Sequence, residues 1–175
     1  YLLEPIGMTR TTFYVDDIAG DPNHAEPYDR TNPNDALHGM RKIPFYRMPK
    51  EDKSKGIGAP LGPAGSINSC ASDMLKWVTL HLNQGEFEGK RIVSEAAMKE
   101  QMLLSAPLDM PMEETEFCSY GLGWMVEMFR GHKLVQHGGN INGFSGFTCF
   151  VPDLNLGVVA YTNMNSSFLH YALAR

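Results

Sequence analysis

The chain has 175 residues, 43% hydrophobic and 20% charged, with a formal net charge of −5. That length buries one substantial core, and the acidic balance gives no electrostatic footprint for nucleic acid. No apolar run approaches the ~20 residues a bilayer-spanning helix needs, and the three cysteines, Cys70, Cys118 and Cys149, form no C-x-x-C pair of the zinc or redox type.

The opening Tyr1-Leu2-Leu3-Glu4-Pro5 reads as the middle of a longer chain. Residues 1–63 are rich in proline, glycine and asparagine and show little periodicity. Turn clusters stand at Pro22-Asn23, Thr31 to Asp35 and Gly56 to Pro63. Interleaved aromatics (Phe13, Tyr14, Tyr28, Phe45, Tyr46) predict an ordered, irregular lobe laid over a core. Lys50 to Lys55 is a mixed charge cluster that reads as a solvated loop.

Helical spacing begins after Ser69. Residues 70–83 place Ala71, Met74, Leu75, Val78 and Leu82 on one face, with Ser69 as the expected N-cap, Asp73 in the first turn and Gly85 as the stop. Gly85 to Val93 predicts a short hairpin. A second helix is expected over 95–104 behind a Ser94 cap, ended by a loop that Pro107 and Pro111 enforce. From Tyr120 the period becomes two. One strand is expected over 120–129, a turn at Arg130-Gly131-His132, and further strands over 133–137, 145–151 and 156–162. The last is apolar throughout, which predicts burial on both faces. Short turns make these strands antiparallel neighbours, and a closing helix is expected to start within 164–175.

The most informative run is His137-Gly138-Gly139-Asn140-Ile141-Asn142-Gly143-Phe144. A side chain able to carry positive charge precedes two residues without β-carbons, so a ligand backbone can approach the strand edge closely. A plain glycine turn between strands has the same local composition, and the run alone does not separate the two readings.

Taken in order, Pro5-Ile6-Gly7-Met8-Thr9-Arg10-Thr11, then Pro63 to Met74 entering a helix, then Tyr120-Gly121-Leu122-Gly123-Trp124, then His137-Gly138-Gly139 with Gly143-Phe144, resemble the C-terminal part of the class C β-lactamase-like serine hydrolases. The resemblance runs from Pro5 to about Asn163. It implies an α+β, β-lactamase/transpeptidase-like fold: an antiparallel sheet, flanking helices and a long covering lobe, all within one partial domain over 1–175. It implies acyl transfer to a serine held in an S-x-x-K box. No serine of this chain has lysine three residues on, so the nucleophile is expected in a missing N-terminal part of the same domain, and these residues alone are expected to be inactive.

By the same resemblance His137 is the catalytic residue of the third box, and Gly138, Gly139 and Asn140 bind substrate, Asn140 through its backbone N–H in the oxyanion hole. The expected partner is a small-molecule or peptide substrate. Neither metal nor cofactor is expected, since His24, His38, His81, His132 and His170 lack ligand spacing. Histidine ordinarily titrates near 6.5 and lysine near 10.4. A histidine in the third box therefore favours esters, amides or peptides over penicillins. Relatives act outside the cytoplasm, so a periplasmic or secreted location is implied. The competing reading is a non-catalytic β-lactamase-like module that binds peptides or matrix through the same cleft. Tyr161-Thr162-Asn163 fits the family's Y-x-N string but follows the third box, and is read as a chance match. Gly143 to Phe147 fails a G-x-S-x-G elbow at its last position. Tyr28 and Tyr46 belong to the lobe that roofs the cleft in the family, where packing is the simpler role.

Overall fold

The computed structural model describes residues 1–32, 34, 35, 39–47, 52, 54, 60, 62–109 and 114–174. The charge cluster at 50–55 and the turn cluster at 56–63 lie mostly outside these residues; His38 and Pro111 lie wholly outside them. The lobe carries a short helix α1 (Val15–Ala19), a hairpin of β1 (Tyr28–Arg30) and β2 (Met40–Lys42), and a single helical turn α2 (Gly62–Gly65). Then come α3 (Ala71–Leu82), the hairpin β3 (Glu86–Phe87) with β4 (Lys90–Arg91), and α4 (Glu95–Gln101). Six strands follow: β5 (Ala106–Pro107), β6 (Thr115–Tyr120), β7 (Met125–Phe129), β8 (His132–Ile141), β9 (Phe144–Val151) and β10 (Leu156–Thr162). They form one antiparallel sheet in the order β10-β9-β8-β7-β6-β5, and α5 (Leu169–Ala174) closes the described chain.

Side chains alternate across the sheet, and each face finds its own cover. Val126, Val135, Phe150 and Val159 meet Val78, Trp77 and Leu82 of α3, with Trp124 and Met102. On the other face Leu134, Phe147, Cys149 and Val158 meet Tyr171 of α5. The far side of α3 is covered as well, because Leu80 packs on Ile6 and Met8. Each fully buried side chain of this kind contributes roughly 1.5–3 kcal/mol. Both tryptophans therefore serve packing.

Several expectations change. Helix α3 is buried on two sides, so its inward residues are Asp73, Val78, Leu80 and His81, while Ala71 and Leu75 face solvent. Its N-cap is Cys70, extended and without a side-chain cap bond. The Ser69 hydroxyl turns instead to Thr11 Oγ1 at 2.8 Å. Ser94 does cap α4, accepting from the Ala97 N–H at 3.2 Å, but the helix ends at Gln101 and leaves Leu103 and Leu104 exposed.

The expected strand 120–129 is two strands. The chain reverses through residues 121–124, where Gly123 takes φ +82°. Apolar Leu122 and Trp124 continue the alternation straight through this reversal and hide it. The strand expected to end at His137 runs on through both glycines to Ile141. β10 lies at the sheet's edge, so Leu156 and Tyr161 are 52% and 45% exposed, and only its middle is covered by the two helices.

Candidate active site

The geometry of the glycine run follows from two turns. Phe129 and His132 flank a two-residue turn with Arg130 at φ +49° and Gly131 at +77°; Ile141 and Phe144 flank another with Gly143 at +91°. Residues flanking such a turn exchange backbone hydrogen bonds, and along an antiparallel strand the bonding direction alternates. Both turns give the same phase. Leu134 and Gln136 bond toward β7, while Val135, His137, Gly139 and Ile141 bond toward β9. β7 begins at Met125, opposite Gln136. The next two residues in the β7 direction, Gly138 and Asn140, therefore aim their N–H and C=O groups at an edge that no strand among the described residues flanks. Neither makes a backbone bond on that side among the described residues.

The two glycines have different reasons to be glycine. A β-carbon on Gly138 would lie 2.5 Å from Tyr171 Oη and 3.3 Å from Phe147 Cδ2, so its absence lets α5 pack. A β-carbon on Gly139 would meet nothing among the described residues within 4 Å. Gly139 shares the α3 face with His137, and nothing in the packing demands its lack of a side chain.

His137 is exposed and pairs across β9 with Thr148. Its Nε2 lies 3.0 Å from the Tyr120 hydroxyl, with the rings edge to face at 5.9 Å. Asn140 divides its roles. Its backbone faces the open edge, and its side-chain Oδ1 lies 2.5 Å from the Ser145 hydroxyl on the other face. Ser145 also accepts the Ser167 N–H at 3.0 Å and lies 2.8 Å from the Met164 carbonyl. At 2% exposure that hydroxyl is a buried tie and no nucleophile.

The lobe is fastened beside this edge. Pro27 sits where a Gly143 side chain would be, since a β-carbon there would lie 2.2 Å from Pro27 Cβ. The Asn165 N–H donates to the Tyr28 carbonyl at 2.9 Å, Asn163 Nδ2 donates to the Glu26 carbonyl at 3.0 Å, and Phe45 stacks on Phe144 at 6.2 Å. Tyr28 thus contributes a backbone clamp. Tyr46 is exposed.

Sequence reasoning did not assign Tyr120 or Thr148 to the site. Tyr120 was readable only as the first letter of Tyr-Gly-Leu-Gly-Trp; its distance to His137 depends on the hidden reversal. Tyr161 shares a row with Gly139 and Gly146 across three strands. Its ring lies over Gly146, where a β-carbon would come within 2.6 Å, and its hydroxyl is 3.5 Å from Thr148 Oγ1. No cluster of metal-ligating side chains occurs among the described residues, and none of the described helices is long and apolar enough to cross a membrane.

A family model described as Beta-lactamase matches residues 1–174. The chain belongs to the β-lactamase family. Over 174 residues it is 25% identical to unguisins hydrolase ungD of Aspergillus violaceofuscus (strain CBS 115571), covering 93% of this chain and 29% of that protein. The octameric penicillin-binding protein homologue from Pyrococcus abyssi superposes with a TM-score of 0.72 at 26% identity, over 99% of this chain and 35% of that one. A class C β-lactamase in complex with cefoxitin superposes at 0.67 and 16% identity, over 99% and 49%, a likeness of fold alone. The β-lactamase/transpeptidase-like α+β fold is thereby established, and the chain spans about a third of the first two relatives.

Proposed function

We propose that this chain forms the third active-site box and cleft edge of a serine hydrolase that works through an acyl-enzyme on an ester, amide or peptide. The observation that carries the reading is the vacated edge beside His137 to Asn140, where two outward amides meet an open glycine face. A substrate backbone lies along that edge as an added strand. Its scissile carbonyl accepts a hydrogen bond from the Asn140 N–H, and that bond strengthens as the tetrahedral oxyanion forms. His137 holds a second acceptor oxygen of the substrate. The attacking hydroxyl and its lysine come from the remainder of the protein, since no serine here has the required lysine. Attack forms the acyl ester and expels the alcohol or amine; water then releases the acid and restores the serine.

The relative named as an unguisins hydrolase supports hydrolysis, and the histidine in place of a permanent cation favours peptides, amides or simple esters as substrates over penicillins. The test compares the full-length protein with its His137→Ala variant on p-nitrophenyl acetate, amino-acid p-nitroanilides and benzylpenicillin. Turnover of the first two, lost in the variant, supports the reading. Full turnover without His137, or a preference for benzylpenicillin, overturns it. Binding of peptides with no fluorophosphonate-reactive serine would favour the non-catalytic module.

A further inference from the structure

The backbone that carries the Tyr120 phenol is fixed from both sides and by the loop that follows. Tyr120 pairs with Ala106 of β5 and Met125 of β7. The loop that follows is closed by Gly121 N–H to the Trp124 carbonyl at 2.8 Å and fixed to the end of α4 by Leu122 N–H to the Gln101 carbonyl at 2.9 Å. Gly121 lies flush on that helix end, since a β-carbon there would be 2.3 Å from the Gln101 carbonyl. Trp124, at 7% exposure, anchors the loop in the core.

We infer that Tyr120 is a positioning residue that donates its hydroxyl proton to His137 Nε2 and so holds the neutral imidazole as its Nδ1–H tautomer. The phenol is the stronger donor of the pair, and the bare ring nitrogen is the stronger acceptor. Which ring nitrogen carries the proton is set by the bond the other one makes. The second nitrogen, which has no hydrogen-bond partner among the described residues, is then a donor of fixed direction. The box consequently recognises an acceptor, a carbonyl or carboxylate oxygen of the substrate, and does not use that nitrogen as a base. This role rests on the substrate edge proposed above.

The tautomer can be read without any turnover. Histidine side-chain nitrogen shifts are recorded by NMR on the full-length protein at pH 8, with His137 assigned by its loss in His137→Gln. The expected wild-type pattern has Nδ1 protonated and Nε2 bare; Tyr120→Phe, which removes one oxygen, shifts His137 toward the Nε2–H form that histidine ordinarily prefers in water. In parallel, kcat/KM on p-nitrophenyl acetate falls roughly five- to tenfold, the size of one neutral hydrogen bond. An Nε2–H signature in the wild type, or one tautomer in both proteins, overturns the inference even if His137→Ala abolishes activity. A tautomer change with activity indifferent to His137 would uphold the inference on the histidine and sink the proposed function instead.

Discussion

Gly138 and Gly139 are adjacent, and the account requires that they respond oppositely to the same methyl group. Around Gly139 no heavy atom of the described residues lies within 4 Å of an added β-carbon, and its backbone is outside the left-handed region. Alanine there restricts the unfolded chain and stabilises by about 0.4–1 kcal/mol, a small rise in Tm. The same methyl stands on the His137 face, where the proposed function has it lift a bound substrate off the edge. A displacement of about 1 Å at a reacting centre costs about 10²-fold in rate. Alanine at Gly138 must displace Tyr171 Oη, 2.5 Å away, and press on Phe147. Overpacking of this kind costs about 1–3 kcal/mol and lowers Tm. Thermal melts and kcat/KM per fluorophosphonate-titrated site check both variants in the full-length protein. A fall in Tm for Gly139→Ala, or unimpaired kcat/KM in it, would refute the division of labour.

Three further outcomes follow from buried groups and from the lobe. Asp73 is 2% exposed; burial pushes its carboxyl upward, but bonds from the Arg10 N–H, the Thr11 hydroxyl and Lys76 outweigh this and hold it below the usual range. Its contribution is thus present above about pH 4 and lost as pH falls through the depressed value. Asp73→Ala should cost about 2–4 kcal/mol near neutrality and progressively less in acid, as urea titrations at each pH will show. His81 is buried among Trp77, Trp124 and Phe150, and burial lowers its pKa. Its neutral form is the folded one, so stability is full above about pH 6.5 and declines below; His81→Leu should flatten the slope of Tm against pH between 7 and 5, and an unchanged slope contradicts this. Gly143→Ala, at φ +91° and against Pro27, should cost about 1–3 kcal/mol and speed proteolysis of residues 1–63 more than of the sheet. Uniform cleavage would show that the clamp does not hold the lobe.

How much was legible depended on whether the signal was local. The Ser94 cap, the hairpin after Gly85 and the strand 156–162 are set by residues next to one another, and they read directly. The reversal at 121–124 did not read, because Leu122 and Trp124 keep the two-residue period while the backbone turns. The inward face of α3 was misjudged because Ile6 and Met8, more than sixty residues earlier, bury its second side. At the site, the glycine run was legible as a segment, and the structure places it in β8 from His137 to Ile141. What could not be read was direction: that Asn140 sends its amide to an open edge depends on the phase fixed by two turns and on where β7 stops. Nor could the separate reasons for two adjacent glycines be told apart without knowing that Tyr171 comes back over one of them.

The most direct measurement is a crystal structure of the full-length protein with its active serine trapped as a phosphonate ester. One phosphoryl oxygen should accept the Asn140 N–H at about 2.7–3.1 Å, with the remaining substituent lying along the strand beside His137 and Gly139. An adduct whose oxygen is held by other groups, with the His137–Asn140 edge empty or covered by another part of the protein, would contradict the account.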